Sequence, residues 1–431
     1  MSAPARCLLA VLLAVSTAGA ADLNALLANP KLWSLSQDEF QRLPETKGFR
    51  WVSDAKDTAR AGEQALTLWA LPIVEVVARF ESGKLAEITP TIYARGDVGG
   101  LPRDKYEALV KVSMDALNLN TKVPAVVRGK DATNAVKAEG IIWSAPAAHY
   151  LLEYSFTKEV KTKNIPFRAE FVRLEIKPPE VKTTGLTFAP TAQSGGKRFT
   201  GPAHVKKDTA SGDVVITDVP MVDQGQKGYC AVACAERMMR YYGVQTDANE
   251  IAQIANTDST KGTSADAMFD ALKKLSTRLK VQVRPVEKFE AKQLLSLMIE
   301  YNRAAKHGNR APQLAPPGQV LDSDKIFRSM DSSLLKEVRT KNRSDVTKFQ
   351  TDVQKHIDAG IPLIWSVMLG IFPEPGVPQS GGGHMRLIIG YNTKSNEIIF
   401  SDSWGAGHEQ KRMPLENAVT ITTGLTALEP L

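Results

Sequence analysis

The sequence predicts an α+β protein in which two mixed domains follow a short leader. Length, the changes of hydrophobic period along the chain and one polar stretch carry that prediction. The chain has 431 residues, beyond the roughly 100–200 of one average domain. Its 43% hydrophobic and 23% charged residues are ordinary globular proportions, so each domain has the means to bury a core. A run at 181–212, dense in Gly, Thr, Ser, Pro and Lys, lacks periodicity and reads as a linker between domains at 21–180 and 213–431.

The first twenty residues, MSAPARCLLAVLLAVSTAGA, place one arginine before a short apolar run and end in small residues, the pattern of a secretory signal cleaved after Ala20. The run is too short to span a bilayer, and no later stretch approaches the roughly 18 apolar residues that a span requires. The mature protein is therefore expected in the periplasm or outside the cell, with no membrane span. Its net charge of +7 is spread among interleaved acidic groups, with no basic run among stacking aromatics, which argues against nucleic acid as a partner.

In the first domain, ALTLWALPIVEVVARFE (65–81), EITPTIYAR (87–95), GIIWSAPAAHYLLEYSFT (140–157) and FRAEFVRLEIKP (167–178) read as strands. RDKYEALVKVSMDALN (103–118) spaces Tyr106, Leu109, Val110, Val112 and Leu117 as a helix does. His149 lies in a strand-like run and reads as a packing residue. The second domain opens with a β-like run at 213–222. Helices follow at 230–243, 248–258 and 264–276, with more helical pattern over 290–358. It closes with strands at 361–369, 384–392 and 397–405. This order predicts a helical part followed by a largely antiparallel sheet.

The chemistry concentrates in the second domain. Removal of the leader takes Cys7 and leaves Cys230 and Cys234. Four apart on one helix, they are poorly placed for a disulfide. Cys230 opens its helix after the polar DQGQKG approach, where unpaired backbone N–H groups favour a thiolate; Cys234, one turn in among alanines, reads as core. Of the six histidines, His384 opens a strand after three glycines at a cleft-edge position, suited to a general base. Gly382 and Gly383 leave bare backbone for a substrate chain. Asp402, at the end of the next strand, is the candidate to orient the imidazole. Gln224 is the candidate oxyanion donor.

QGQKGYC before a helix, GGGH opening a strand and DSWG ending the next together resemble the papain-like cysteine peptidase superfamily, over about 213–431. VPMVDQG, NEIAQIANTD, GTSADAMFDALKK and the aspartate third member are closer to its bacterial bacteriocin-processing, double-glycine branch. The resemblance implies a papain-like fold acting on peptide or protein substrates without cofactor or metal. It implies Gln224 at the oxyanion, Cys230 as nucleophile, His384 as base and acid, and Asp402 as orienter, with Trp404 shielding the His384–Asp402 bond. Gly228, Tyr229, Gly382, Gly383 and Trp404 are the expected substrate-binding residues. Lys227 and Tyr229 depart from papain, and no ATP-binding cassette follows. The competing readings are a transglutaminase-like acyl transferase, an inactive peptidase fold used for binding, and a zinc site at Cys230, Cys234 and His384 or His408. Because the branch cuts after paired glycines, Gly195–Gly196 is a candidate for self-cleavage.

Overall fold

The computed structural model describes residues 21–62, 65–130, 136–180, 200–225, 228–244, 248–259, 262–279, 281–312, 322–379 and 381–431. The expected leader, most of the expected linker with Gly195–Gly196, and Lys227 lie outside them.

The first half runs α1 (Leu23–Leu27), α2 (Gln37–Arg42), β1 (Arg50–Trp51), β2 (Thr58–Ala61), β3 (Leu66–Leu68), β4 (Leu71–Ile73), β5 (Glu75–Glu81), β6 (Lys84–Ala94), α3 (Arg95–Val98), α4 (Arg103–Thr121), β7 (Val126–Lys130), β8 (Glu139–Ser144), β9 (His149–Thr157) and β10 (Arg168–Lys177). Antiparallel pairing orders its main sheet β1-β2-β5-β6-β10-β9-β8-β7. One face buries Ile88, Leu152, Val172, Leu174 and Ile176 in a core that also takes Tyr106, Val110 and Leu117 of α4. Val112 turns outward on that helix, 52% exposed.

Two of the long expected strands are interrupted. The run at 65–81 divides at Trp69 and Ala70, both at positive φ, and the run at 140–157 is the β8–β9 hairpin, in which the Ala145 N–H donates to Ala148 O.

The second half runs β11 (Val205–Asp208), β12 (Asp213–Ile216), α5 (Cys230–Tyr241), α6 (Ala248–Ile254), α7 (Ala265–Leu279), β13 (Val281–Lys288), α8 (Ala291–His307), α9 (Ser323–Arg328), α10 (Ser332–Thr340), α11 (Arg343–Asp358), β14 (Leu363–Leu369), β15 (Gly382–Asn392), β16 (Glu397–Ser401), β17 (Lys411–Pro414), α12 (Leu415–Ile421) and β18 (Thr422–Pro430). The strand order is β11-β12-β15-β14-β18-β13, with β16 on β15 and β17 on β16. The end of the expected linker is therefore not a linker: β11 pairs with β12 and belongs to this sheet.

Helices cover both faces. On one, α5 to α7 bury Ala231, Cys234, Met238 and Leu272 against Met385, Leu387 and Ile389. On the other, α8, α10, α11 and α12 bury Leu297, Leu335, Val353 and Ala418 against Trp365, Ile388 and Phe400. Double coverage explains why HMRLIIGYN is nearly continuous in apolar residues rather than alternating. Among the described residues, no helix is long and apolar enough to cross a membrane.

Candidate active site

α5 begins at Cys230, which is half-buried, with Tyr229 as its N-cap and no side-chain capping bond. Alanines and methionines favour the helix, and Gly243, at φ 76°, marks its end. The helix is anchored to the strands around the site by Arg237, only 1% exposed, whose guanidinium donates to Pro220 O at 2.8 Å and Asp402 O at 3.1 Å. Cys234 is wholly buried, its thiol donates to Met385 O at 3.3 Å, and burial pushes its pKa up. One helix thus carries a thiol at its tip and a second sealed in the core.

Strand register assembles the rest. Leu387 pairs with Ser401 and Ile388 with Phe400. Continued past the last paired residue, this antiparallel register sets Arg386 opposite Asp402 and His384 opposite Trp404, all on one face. His384 Nε2 and Asp402 Oδ1 are 2.7 Å apart, with both side chains inaccessible to solvent. The Trp404 ring stacks on the imidazole, 4.3 Å between centroids and 5° from parallel. Asp402 Oδ1 also accepts the Ser403 N–H at 2.9 Å. Its Oδ2 lies 2.8 Å from Nε of Arg386, whose Nη1 is 2.8 Å from Glu374 Oε2. The buried guanidinium lies over the Phe400 and Trp365 rings.

Burial alone would push the His384 pKa down. The Asp402 charge and hydrogen bond outweigh it and, with the nearby Cys230 thiol, raise it to about 9. Burial would raise Asp402, but His384 and Arg386 hold its carboxyl down at about 2. His384 Nδ1 makes no hydrogen bond of full geometry. Cys230 is the sulfur group that acts on the ring.

Gln224 is 6% exposed and tied to the same strand end: its N–H donates to Ser403 O at 2.7 Å, and its Oε1 accepts the Ser403 hydroxyl at 2.5 Å. The acceptor end of the amide is thus held by Ser403. Asp223 forms a β-bridge with Trp404. Cys230, His384, Asp402, Gln224 and Trp404 therefore converge, whereas the other expected substrate-binding residues separate. Gly383 is exposed, with open space where a Cβ would stand, but Gly382 is buried beside Asp324 and Arg328 of α9. Gly228 is exposed and packs on Gly262. Tyr229 is 3% exposed and turns its hydroxyl onto the backbone of Gly96 in the first half. Arg386, Glu374 and Ser403 join this cluster with no local mark in the sequence. Arginine in a strand reads as a solvent-facing residue, and only the register sets it on Asp402. Among the described residues, no group of three or more His, Cys, Asp or Glu is arranged to hold a metal ion.

Residues 218–307 match the model of the Peptidase C39 family, and residues 299–422 match that of the Peptidase C39 like family. No curated protein matches the chain. Among solved structures, the peptidase domain of Streptococcus ComA, a bi-functional ABC transporter involved in a quorum sensing pathway, is 14% identical over 50% of this chain and 100% of that one, with a TM-score of 0.25. Xylellain, a cysteine protease from Xylella fastidiosa, is 13% identical over 54% of this chain and 89% of that one, with a TM-score of 0.28. The two family matches overlap at 299–307 and together span most of the sheet and helices just described, and the carboxyl-terminal half of the chain is a cysteine peptidase domain that matches the Peptidase C39 and Peptidase C39 like models.

Proposed function

We propose that the protein is an exported cysteine peptidase that cleaves peptide bonds with Cys230 as nucleophile, His384 as general base and acid, Asp402 as orienting carboxylate and Gln224 as oxyanion donor. The observation that carries this reading is the solvent-inaccessible His384–Asp402 pair at 2.7 Å beside the half-buried thiol at the tip of α5. Because Nε2 is engaged by Asp402, Nδ1 is the nitrogen that exchanges a proton with Cys230. The thiolate attacks the carbonyl carbon, and the oxyanion accepts hydrogen bonds from the Gln224 amide and the Cys230 N–H, each such donor contributing about 3 kcal/mol. His384 Nδ1–H protonates the nitrogen as the C–N bond breaks, and the amine leaves. Nδ1 then takes a proton from water, whose oxygen attacks the thioester and releases the acid.

Digestion of a peptide library by purified wild type beside Cys230→Ala tests the reading. New peptide termini from wild type alone support it; identical mixtures overturn it. The export proposal rests on the leader-like first twenty residues. Intact mass of protein recovered from the periplasm or medium checks it, with a first residue of Ala21 expected and retention of Met1 in a cytoplasmic product against it.

A further inference from the structure

The segment between Asp223 and Cys230 carries both the oxyanion glutamine and the nucleophile, and the first half of the chain grips it at both ends. At one end stands Arg60 of β2, with 10% of its side chain exposed. Its Nε donates to Glu75 Oε2 at 2.7 Å, and its Nη1 lies 3.9 Å from Asp223 Oδ2. The guanidinium rests on the backbone of Gly225, the residue after Gln224. A Cβ there would collide with Arg60 Nη2, and the φ of 65° suits glycine in any case. At the other end Tyr229, the residue before Cys230, is buried with its hydroxyl on Gly96, where a Cβ would occupy the same space.

Contacts continue around these grips. The Asp54 N–H donates to Glu409 Oε1 at 3.1 Å, in the loop after Trp404, so the first half touches the chain on both sides of the Asp223–Trp404 bridge. The Ser155 hydroxyl donates to Gln253 Oε1 at 2.8 Å, Arg168 Nη1 to Asn256 Oδ1 at 2.7 Å, and Phe171 packs on Ile254. Oxyanion donors work by being held in place before charge develops, and loss of one lowers kcat by about 10²–10³-fold. A loop fixed only at its strand end has freedom that the grip on Gly225 and Tyr229 removes.

We infer that the amino-terminal domain is a working part of the peptidase site rather than a detachable segment, with Arg60 and Gly96 as positioning residues that hold Gln224 and Cys230 in register. This rests on the peptidase reading above. Removal of the first half takes away the outer support of the oxyanion segment, so activity requires the two halves to remain docked.

The test uses the full chain with Arg60→Met and Arg60→Lys. Arg60→Met should lower kcat on a peptide substrate about tenfold with KM within about twofold, because the donor geometry loosens while the cleft stays. Alkylation of Cys230 by iodoacetamide should stay within about twofold of wild type, since that displacement develops no oxyanion. Lysine, which keeps the charge facing Glu75 and Asp223, should restore most of kcat. A folded Arg60→Met with wild-type kcat overturns the inference, as does a parallel fall in kcat and alkylation that lysine does not rescue.

Should Arg60→Met not fold, Asp223→Asn asks the same question from the other side. It keeps the Oδ1 acceptor that takes the Gly225 N–H at 2.8 Å and removes only the charge facing Arg60. A twofold to threefold loss of kcat supports the grip, and none overturns it. Failure of the peptidase reading looks different: wild type then hydrolyses nothing. In that case faster amide exchange at 223–225 in Arg60→Met, or in Asp223→Asn where that variant stands in, still supports the grip, and unchanged exchange sinks it.

Discussion

Each half of the molecule buries a carboxylate between two cationic side chains on a sheet, and the two clusters do different things. In the first sheet Glu153, 1% exposed, is 2.6 Å from Arg128 and 2.6 Å from Arg173, which also reaches Glu250 at 3.5 Å. In the second, Asp402 is held between Arg386 and His384. Burial opposes both charges, and the paired cations hold both carboxyls down at about 2. The difference is one side chain. Two guanidiniums close the first cluster permanently, because neither gives up a proton near neutral pH. Replacing one by an imidazole puts in the same arrangement a group that can exchange a proton near neutral pH, which on the proposed mechanism it takes from the Cys230 thiol.

The largest effect expected is at that substituted position and its thiol. Cys230→Ser and His384→Ala should each reduce peptide hydrolysis by about 10⁴-fold or more, measured by initial rates; calorimetry should find thermal unfolding little moved in Cys230→Ser and lowered in His384→Ala, which takes a buried partner from Asp402. No change in the first cluster should do this.

Next come two deletions of matched chemistry, Glu153→Gln and Arg386→Met. Each leaves buried charge with one partner fewer and should destabilise the fold by about 3 kcal/mol in urea unfolding. Only Arg386→Met should also move the pH profile: the Asp402 carboxylate, relieved of its second cation, holds the His384 proton more tightly, and the alkaline limb of kcat/KM shifts upward. An identical profile would show that Arg386 only fills space.

The wild-type limb itself is set by His384. Its folded pKa of about 9 lies above the ordinary value near 6.5. The stability it contributes is therefore fully present below about pH 6.5 and is lost as pH rises through about 9. Asp402→Asn should move the limb to lower pH and flatten this part of the stability curve, read by unfolding at several pH values. The smallest effect belongs to the second thiol. Cys234→Ala should cost about 1 kcal/mol for the lost hydrogen bond and leave turnover and single-site alkylation as they were.

The parts legible in the sequence are those written in rare residues or in period. A lone thiol opening a helix, a histidine after glycines and an aspartate at a strand end fall where the chemistry predicts because few residue types can do that work. The covered strand β15 is visible as an apolar run. Arg386 sits inside that run, yet its partner is fixed by pairing register, which no local signal encodes. Ser403 lies within DSWG, where it reads as turn chemistry instead of the group that orients Gln224. The break at Trp69–Ala70 is hidden because residues other than glycine or asparagine take the left-handed conformation there. Strand β11 passes for linker because its residues are half-exposed or exposed throughout. Arg60 and Gly96 carry no mark at all; their importance appears only once the halves are docked.

The sheet that brings the site together pairs Asp213 with Asn392 and Val281 with Pro430. Such ladders close loops spanning most of the second half, so they form slowly. Until then the thiol and the imidazole belong to separate stretches of a growing polypeptide. On the proposed mechanism, proteolytic capacity therefore waits on the long-range pairing of this sheet.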